Sequence, residues 1–341
     1  MEKNDNTILN EYVPLSKESR ECPILYVVVP CYNEELVINK TAISLKEKLL
    51  SMIAAGVIDK ESKITFVNDG SKDNTLAMLY ELTKQDSIYS VVNLAANRGH
   101  QNAILAGMMV MKDYADVVIT IDADLQQDIN AMDDFIKSYV AGSEVVYGVR
   151  NDRNTDGVFK KSTATMYYRL MHLLGSKVVT NHADYRLMSK KALNALAEYG
   201  ESNLFLRGLI PSMGFASDIV YFDVKEREAG ESKYTLSKML TLALDGITSF
   251  SVRPLHLIGF MGMLTVLGGI ILAITSLVEW TQGKNVPGYT TLLIVMLIAF
   301  GAVLVSLGII GEYIGKIYME TKQRPHYIID TVVLKRDRKD D

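Results

Sequence analysis

The chain has 341 residues, of which 48% are hydrophobic and 22% charged, and its net charge is −4. That length holds one large domain or two smaller ones. The composition excludes a disordered chain, and the acidic balance argues against a general nucleic-acid binder, which is usually basic. The two cysteines, Cys22 and Cys31, give neither a disulfide framework nor a paired CxxC metal site.

The N-terminus, Met1 to Glu21, is polar and lacks the apolar core of a signal peptide. Ile24–Val29 is a continuous apolar run that predicts a strand ended by Pro30. Asn33-Glu34-Glu35 opens a predicted amphipathic helix to about Ala55, with Leu36, Ile43, Leu50 and Ile53 along its apolar side. Lys63–Val67 reads as a second strand, broken at Asn68-Asp69-Gly70-Ser71. Asp73 is the expected cap of a helix over 74–84. Ser90–Leu94 is a third strand, followed by Asn97-Arg98-Gly99-His100 and a helix through Met111. Val117–Ile121 is a fourth strand and Glu144–Gly148 a fifth.

Strands alternating with helices in this way predict βαβ units and a mainly parallel sheet. No G-x-G-x-x-G follows the first strand and no G-x-x-x-x-G-K-[ST] occurs, which counts against a dehydrogenase and a P-loop NTPase. Each predicted strand ends in polar residues: Pro30 to Glu34, Asn68 to Ser71, Asn97 to Gly99, Asp122 to Asp124, and Arg150. In a parallel sheet these ends share one rim, where ligands bind. Asp122 and Asp124, with the amide oxygen of Gln126 close behind, suit a hard cation such as Mg²⁺ or Mn²⁺ bound together with substrate phosphates. A lone D-x-D is as readily a solvated turn, and a lone N-D-G-S usually is one. Five polar strand ends in series are more simply a pocket for a charged, metal-bridged small molecule.

The apolar weight lies near the C-terminus. Leu255–Val278 is a run of 24 residues whose only ionisable side chain is His256, and Tyr289–Ile310 a run of 22 without acid, Lys, Arg or His. About 20 apolar residues suffice to cross the hydrocarbon layer. Two such spans predict a transmembrane hairpin, and the basic residues outside it (Lys233, Lys238 and Arg253 before, Lys316, Lys322 and Arg324 after) place both ends in the cytoplasm. The alternative is a pair of core helices in a soluble protein. Segments 160–174 and 237–250 have the pattern of interfacial helices, and equally of core helices. Arg227, Ser232 and Lys233, just before the hairpin, carry the chemistry that holds a lipid phosphate, or else are ordinary juxtamembrane basic charge. Gly311-x-x-x-Gly315 favours close helix packing and a homo-oligomer.

Val-Val-Val-Pro-Cys-Tyr-Asn-Glu, Val-Asn-Asp-Gly-Ser-Lys-Asp, Asn-Arg-Gly and Asp-Ala-Asp-Leu-Gln, in this order, resemble the family-2 glycosyltransferases of GT-A fold. Arg227–Tyr234, the apolar hairpin, Gly311–Tyr318 and Arg324-Pro325 resemble the polyprenyl-phosphate glycosyltransferases in particular, which include bactoprenol glucosyltransferases and dolichyl-phosphate mannose synthases. The resemblance runs from about Ile24 to Ile329. It implies a polar tail (1–22), a cytoplasmic GT-A catalytic domain (23–234), a juxtamembrane amphipathic helix (235–253), transmembrane helices (254–280 and 288–312) and a cytoplasmic C-terminal segment (313–341). It further implies an inverting, metal-dependent transfer of one sugar from a nucleotide donor, UDP-linked by expectation, to a polyprenyl phosphate such as undecaprenyl phosphate at the cytoplasmic membrane.

By the same resemblance Pro30, Tyr32, Glu34 and Asp69 line the nucleoside end of the donor site, with Arg98 either near the nucleotide or paired to a helix acid. Asp122, Asp124 and Gln126 hold the metal. Asp184 lies near the sugar and acceptor, and Arg186 either joins it or pairs structurally with a neighbouring acid. Arg150 ends the fifth strand beside the pocket and is a further catalytic candidate. Many relatives continue Asp-x-Asp-Leu-Gln with Asp-Pro-Pro-Glu, whereas this chain reads Gln127-Asp128-Ile129-Asn130, which puts any borrowed sugar specificity in doubt. Two rivals remain. A processive polysaccharide synthase would add a Q-x-x-R-W motif, absent here, and a non-catalytic membrane scaffold would have no chemical reason to keep the acid pair.

Overall fold

The computed structural model describes residues 20–151, 182–201, 205–223, 253–282 and 288–335. Arg227, Ser232 and Lys233, and segments 160–174 and 237–250, lie outside the described residues. The strands are β1 (Leu25–Cys31), β2 (Lys63–Asn68), β3 (Tyr89–Leu94), β4 (Val117–Thr120), β5 (Val145–Arg150), β6 (His182–Ser189), β7 (Ser217–Phe222) and β8 (Ile329–Val333). They form one sheet in the order β7-β5-β6-β4-β1-β2-β3-β8. The helices are α1 (Ile38–Ala54), α2 (Thr75–Gln85), α3 (His100–Met111), α4 (Ala131–Val140), α5 (Lys190–Ala197), α6 (Leu206–Ser212), α7 (Arg253–Thr281) and α8 (Tyr289–Thr321).

β1 is buried along its whole length because both faces of the sheet are covered. Its odd-numbered residues Val27 and Val29 pack with Leu45 and Leu49 of α1, Leu79 of α2 and Phe135 of α4. Tyr26 and Val28 enter a second cluster with Ala103, Ala106 and Met108 of α3, Leu193 of α5 and Leu209 of α6. β-Strand alternation thus feeds two cores from one chain segment.

The expected apolar face of α1 is wrong. Leu36, Ile43 and Leu50 are exposed, Leu36 by 87%, while Ile38, Ala42, Leu45, Leu49 and Met52 are buried. The helix carries two apolar stripes, and the sheet takes the one with residues at successive four- and three-residue steps, which covers it without a gap. Ile53 is partly buried against the same core.

β1 runs one residue past its expected end at Pro30. Val28 O accepts from Ile121 N (3.0 Å), and Cys31 O accepts from Asp69 N (2.9 Å). Pro30 therefore faces β4, like Val28, and it has no N–H to offer. Pairing of β1 with β4 stops at Val28–Thr120, whereas pairing with β2 continues to Cys31–Asn68. The two strands part where Asp122 begins.

β6, β7 and β8 lie beyond the five strands that the apolar runs predict. β6 lies antiparallel between β4 and β5, and β8 antiparallel on β3. The helix expected to end at residue 312 continues to Thr321, because Glu312, Lys316 and Glu320 are good helix formers. The chain then returns to the sheet through β8, where Ile328 O also accepts from Ala95 N (2.9 Å).

α3 lies close against β1 and β2 at Gly107, where a Cβ would collide with Val28 Cγ1 and come within 2.7 Å of Val67 Cγ2. Gly107→Ala is expected to destabilise the chain by about 1–3 kcal/mol through overpacking. Urea unfolding of the two proteins checks this, and an unchanged midpoint would refute the close packing.

Candidate active site

β1, β2, β3 and β4 are parallel, and β5 runs with them because both it and β4 are antiparallel to β6. The polar strand ends do meet on one rim. β6 starts from that rim and brings Asp184 to it.

The first two strand-end loops are tied to each other. Asn33 N donates to Ser71 Oγ (3.0 Å), Glu34 N to Thr75 Oγ1 (2.9 Å) and Lys72 N to Asn33 Oδ1 (2.8 Å). Asn33 adopts φ +55°, which its short amide side chain tolerates. Asp73 Oδ1 accepts from Thr75 N (3.0 Å) just before α2, but the N-cap itself is Asn74, one residue later than the sequence predicts. Asp69 is buried, and its two oxygens accept the backbone N–H of Arg98 (2.6 Å) and Gly99 (2.9 Å). Burial pushes this carboxyl up, against those two bonds and the nearby His100 and Arg98. Asp69 thus shapes the loop before α3, and each of its oxygens keeps a lone pair for a ligand. Pro30 is buried, Glu34 half-buried, and Tyr32 and the Arg98 side chain exposed. Arg150 is exposed at the end of β5. No ion pair joins it to Asp122 or Asp184 among the described residues.

The acid pair sits on a strained turn. Leu125 has φ +49°, rare for a bulky residue, and is held there by packing against the core and by its N–H on Asp122 O (3.3 Å). Gln126 N donates to Asp124 Oδ1 (3.2 Å), and Thr41 Oγ1 of α1 to Ala123 O (2.6 Å). Gln127, 1% exposed, donates its amide to Asp122 Oδ2 (2.5 Å). The loop beyond is fastened by Tyr185 Oη on Asp128 O (3.0 Å).

On this turn Gln127 Oε1 is buried without a hydrogen-bond partner, and Asp122 Oδ1 has only the His100 imidazole, 3.3 Å away. Leaving the Gln127 acceptor unmade is costly, and a hard cation at this turn would satisfy it. Asp124 and the Gln126 side chain are half-buried on the same turn. Among the described residues no three His, Cys, Asp or Glu side chains form a complete metal cage. The residues fit a divalent ion that takes few protein ligands and completes its shell with substrate oxygens.

Behind Asp122 lies a charge cluster. His100 Nε2 is 3.3 Å from Asp122 Oδ1 and 3.6 Å from Asp184 Oδ2. Burial disfavours charge on the imidazole, but the two carboxylates prevail and push it up to about 10. Asp184 is almost fully buried. Oδ1 accepts Arg186 Nη2 (2.5 Å) and Arg207 Nε (3.2 Å), and Oδ2 accepts Arg207 Nη2 (2.9 Å). Burial works to raise this carboxyl, yet His100, Arg207 and Arg186 hold it well below the ordinary range. It is an anion at neutral pH and no base. Arg186, entirely buried, makes the structural pair foreseen for it.

His100, Arg207 and Gln127 were not assigned as site residues from the sequence. His100 stood in view beside Asn97-Arg98-Gly99, and Gln127 was visible only as a departure in the loop. Arg207 sits in an apolar stretch with no local motif to mark it.

A doubly covered α/β sheet with strand-end loops and an acid pair on its carboxyl rim has the GT-A-like arrangement of sugar-transferring enzymes. The family model "Glycosyl transferase family 2" matches residues 26–197. An uncharacterized glycosyltransferase of Bacillus subtilis (strain 168), YkoT, is 46% identical over 308 residues, covering 90% of this chain and 91% of its own length. The bactoprenol glucosyl transferase of Shigella phage SfV is 37% identical over 313 residues, with 89% and 97% covered. The prophage bactoprenol glucosyl transferase homolog of Escherichia coli (strain K12) is 36% identical over 313 residues, with 90% and 98% covered. This chain belongs to glycosyltransferase family 2, and its resemblance to bactoprenol glucosyl transferases extends over most of its length.

The pairing of Asp184 with Arg186 makes a sharp prediction. Asp184→Asn strands a buried guanidinium and is expected to cost about 3–5 kcal/mol, part of which returns in Asp184→Asn/Arg186→Met. Chemical denaturation of both variants checks it. A double variant no more stable than the single one would overturn the pairing as the source of the loss.

Proposed function

We propose that the chain transfers a single sugar, with inversion, from a nucleotide donor (UDP-linked by preference) to a polyprenyl phosphate at the cytoplasmic face of a membrane. The observation that carries this reading is the rim itself. Asp122 and Asp124 stand on a strained, buttressed turn beside the unsatisfied buried oxygen of Gln127, in a chain alike over nine-tenths of its length to proteins named bactoprenol glucosyl transferases.

Asp122, Asp124 and Gln126 would hold a divalent Mg²⁺ or Mn²⁺. Such an ion supplies charge stabilisation to the departing nucleoside diphosphate. Gln127 fixes one oxygen of Asp122 without adding charge, leaving the other directed by His100. Pro30, Tyr32, Glu34, Asp69 and Arg98 form the side of the rim assigned to the nucleoside, and Arg150 a further candidate near the reacting sugar. A phosphate acceptor is already anionic near neutral pH and needs little general-base help, so Asp184 serves as a fixed anion that orients its neighbours. Arg227, Ser232 and Lys233 are assigned to the lipid phosphate.

Membrane insertion is supported by two features of the C-terminal helices. Apolar side chains on both are exposed, among them Phe260, Met263 and Ile271 on α7 and Ile298, Phe300 and Val305 on α8. Ile298–Thr321 is long and apolar enough to cross a bilayer, and α7 contains the shorter apolar stretch Ile258–Ile271. The second feature is topological. Because β8 pairs with β3, the chain after α8 returns to the catalytic sheet, which supports an even number of crossings. A hairpin with both ends on the catalytic side meets that constraint.

The test is a transfer assay in detergent with undecaprenyl phosphate, Mg²⁺ or Mn²⁺, and a panel of labelled nucleotide sugars. Labelled lipid from one donor is expected, abolished by EDTA and reduced by about 100-fold or more in Asp124→Asn. Product that persists in EDTA would remove the metal from the reading. Folded protein that yields no lipid product with any donor of the panel would count against the transfer itself.

A further inference from the structure

Asp184 is a single buried carboxylate with two guanidiniums on it. Arg186 alone neutralises it, from a position with no exposure. Arg207 brings a second positive charge that the carboxylate does not need for compensation, and its side chain is 41% exposed. Both Nε and Nη2 of Arg207 bond to Asp184, so the guanidinium plane is set by a residue that Arg186 and the β6 backbone already hold rigid. The backbone of the helix start is held too, through Leu206 N on Gln101 Oε1 of α3 (3.0 Å). His100 links the cluster to Asp122 at 3.6 and 3.3 Å, which puts Arg207 one imidazole away from the proposed metal acid.

An arginine whose only task is to lock two elements together is usually buried with its partner. Here the guanidinium is partly exposed on a carboxylate that His100 joins to Asp122, and the planar fork suits phosphate oxygens. We propose that Arg207 is a substrate-binding residue, oriented by Asp184, that pairs with a phosphate group at the reaction centre. The proposal rests on the transfer reading above and adds to it a residue that no motif singled out. The phosphate belongs either to the acceptor monoester or to the donor diphosphate, two sources of one chemistry.

Arg207→Gln and Arg207→Lys would be compared with the unaltered chain by thermal melting, by KM for acceptor and donor separately, and by calorimetric titration with UDP in Mg²⁺. The expected result for Arg207→Gln is a weakening of about tenfold or more in one phosphate-bearing partner at little change in melting temperature, with Arg207→Lys intermediate because it keeps charge and loses the fork. A raised acceptor KM at unchanged UDP affinity assigns the residue to the acceptor, and weakened UDP binding assigns it to the donor. If both KM values and UDP affinity stay the same while only melting temperature or kcat falls, Arg207 is a structural clamp and the proposal fails. Should Arg207→Gln not fold, Arg207→Lys carries the same reading, and unchanged affinities there overturn it. Absence of transfer by the unaltered chain would instead count against the transfer reading, and the UDP titration would still decide Arg207.

Discussion

The antiparallel pairing of β6 with β4 governs the site. Thr120 lies opposite Arg186, and its hydroxyl donates to Asp184 O (2.5 Å). That register sets Asp184 just beyond the end of β4, beside the stretch where β1 and β4 have parted and Asp122 emerges. Asp184 and Arg186 are two residues apart and share one face of the strand, so each can serve the other. A slip of one residue would turn both to the opposite face and exchange them for Tyr185, whose ring belongs with Phe135 and Phe222 in the other core. The aromatic contacts on one side of β6 therefore protect the charge cluster on the other.

Around this fixed point the site is built mostly from anions held in place by neutral donors. Asp69 is held by two backbone N–H groups, and Asp122 by the Gln127 amide on one oxygen and the His100 imidazole on the other. Neutral donors orient a carboxylate without cancelling it, which keeps the negative charge available to a cation. Asp184 shares His100 with Asp122 and carries two guanidiniums besides. Its cations cancel it, so Asp122 and Asp124 carry the acids of the rim while Arg207 and Arg186 gather at Asp184. A substrate that carries phosphate and is bridged by a metal ion meets both needs at once.

The C-terminal half imposes a different constraint. α7 and α8 expose apolar residues that water disfavours, and the strand that follows them closes the edge of the catalytic sheet beyond β3. Asn93 Nδ2 donates to Asp330 Oδ2 (3.0 Å) while its Oδ1 accepts Asn68 Nδ2 (2.8 Å), so the returning strand is joined by side chains to the strand ends of the rim. The helices and the sheet are thus one covalent and hydrogen-bonded circuit, and the position of one limits the position of the other.

What the sequence by itself determined is the part governed by local physics. β-Branched apolar runs made strands, the polar clusters ended them, and their alternation with helices fixed a parallel sheet whose rim collects Asp69, Asp122 and Asp124. The acid pair was legible because its two residues are neighbours. What only the tertiary structure decided is non-local. The buried stripe of α1 depended on which of two apolar faces met the sheet, and β6, β7 and β8 owe their places to pairing partners far along the chain. The Arg207 guanidinium gains its meaning from a carboxylate 23 residues away on another element. Gln127 is a loop residue by sequence, and only the fold brings its amide to Asp122. Charge compensation in a buried site depends on distance in space, and a sequence records distance only along the chain.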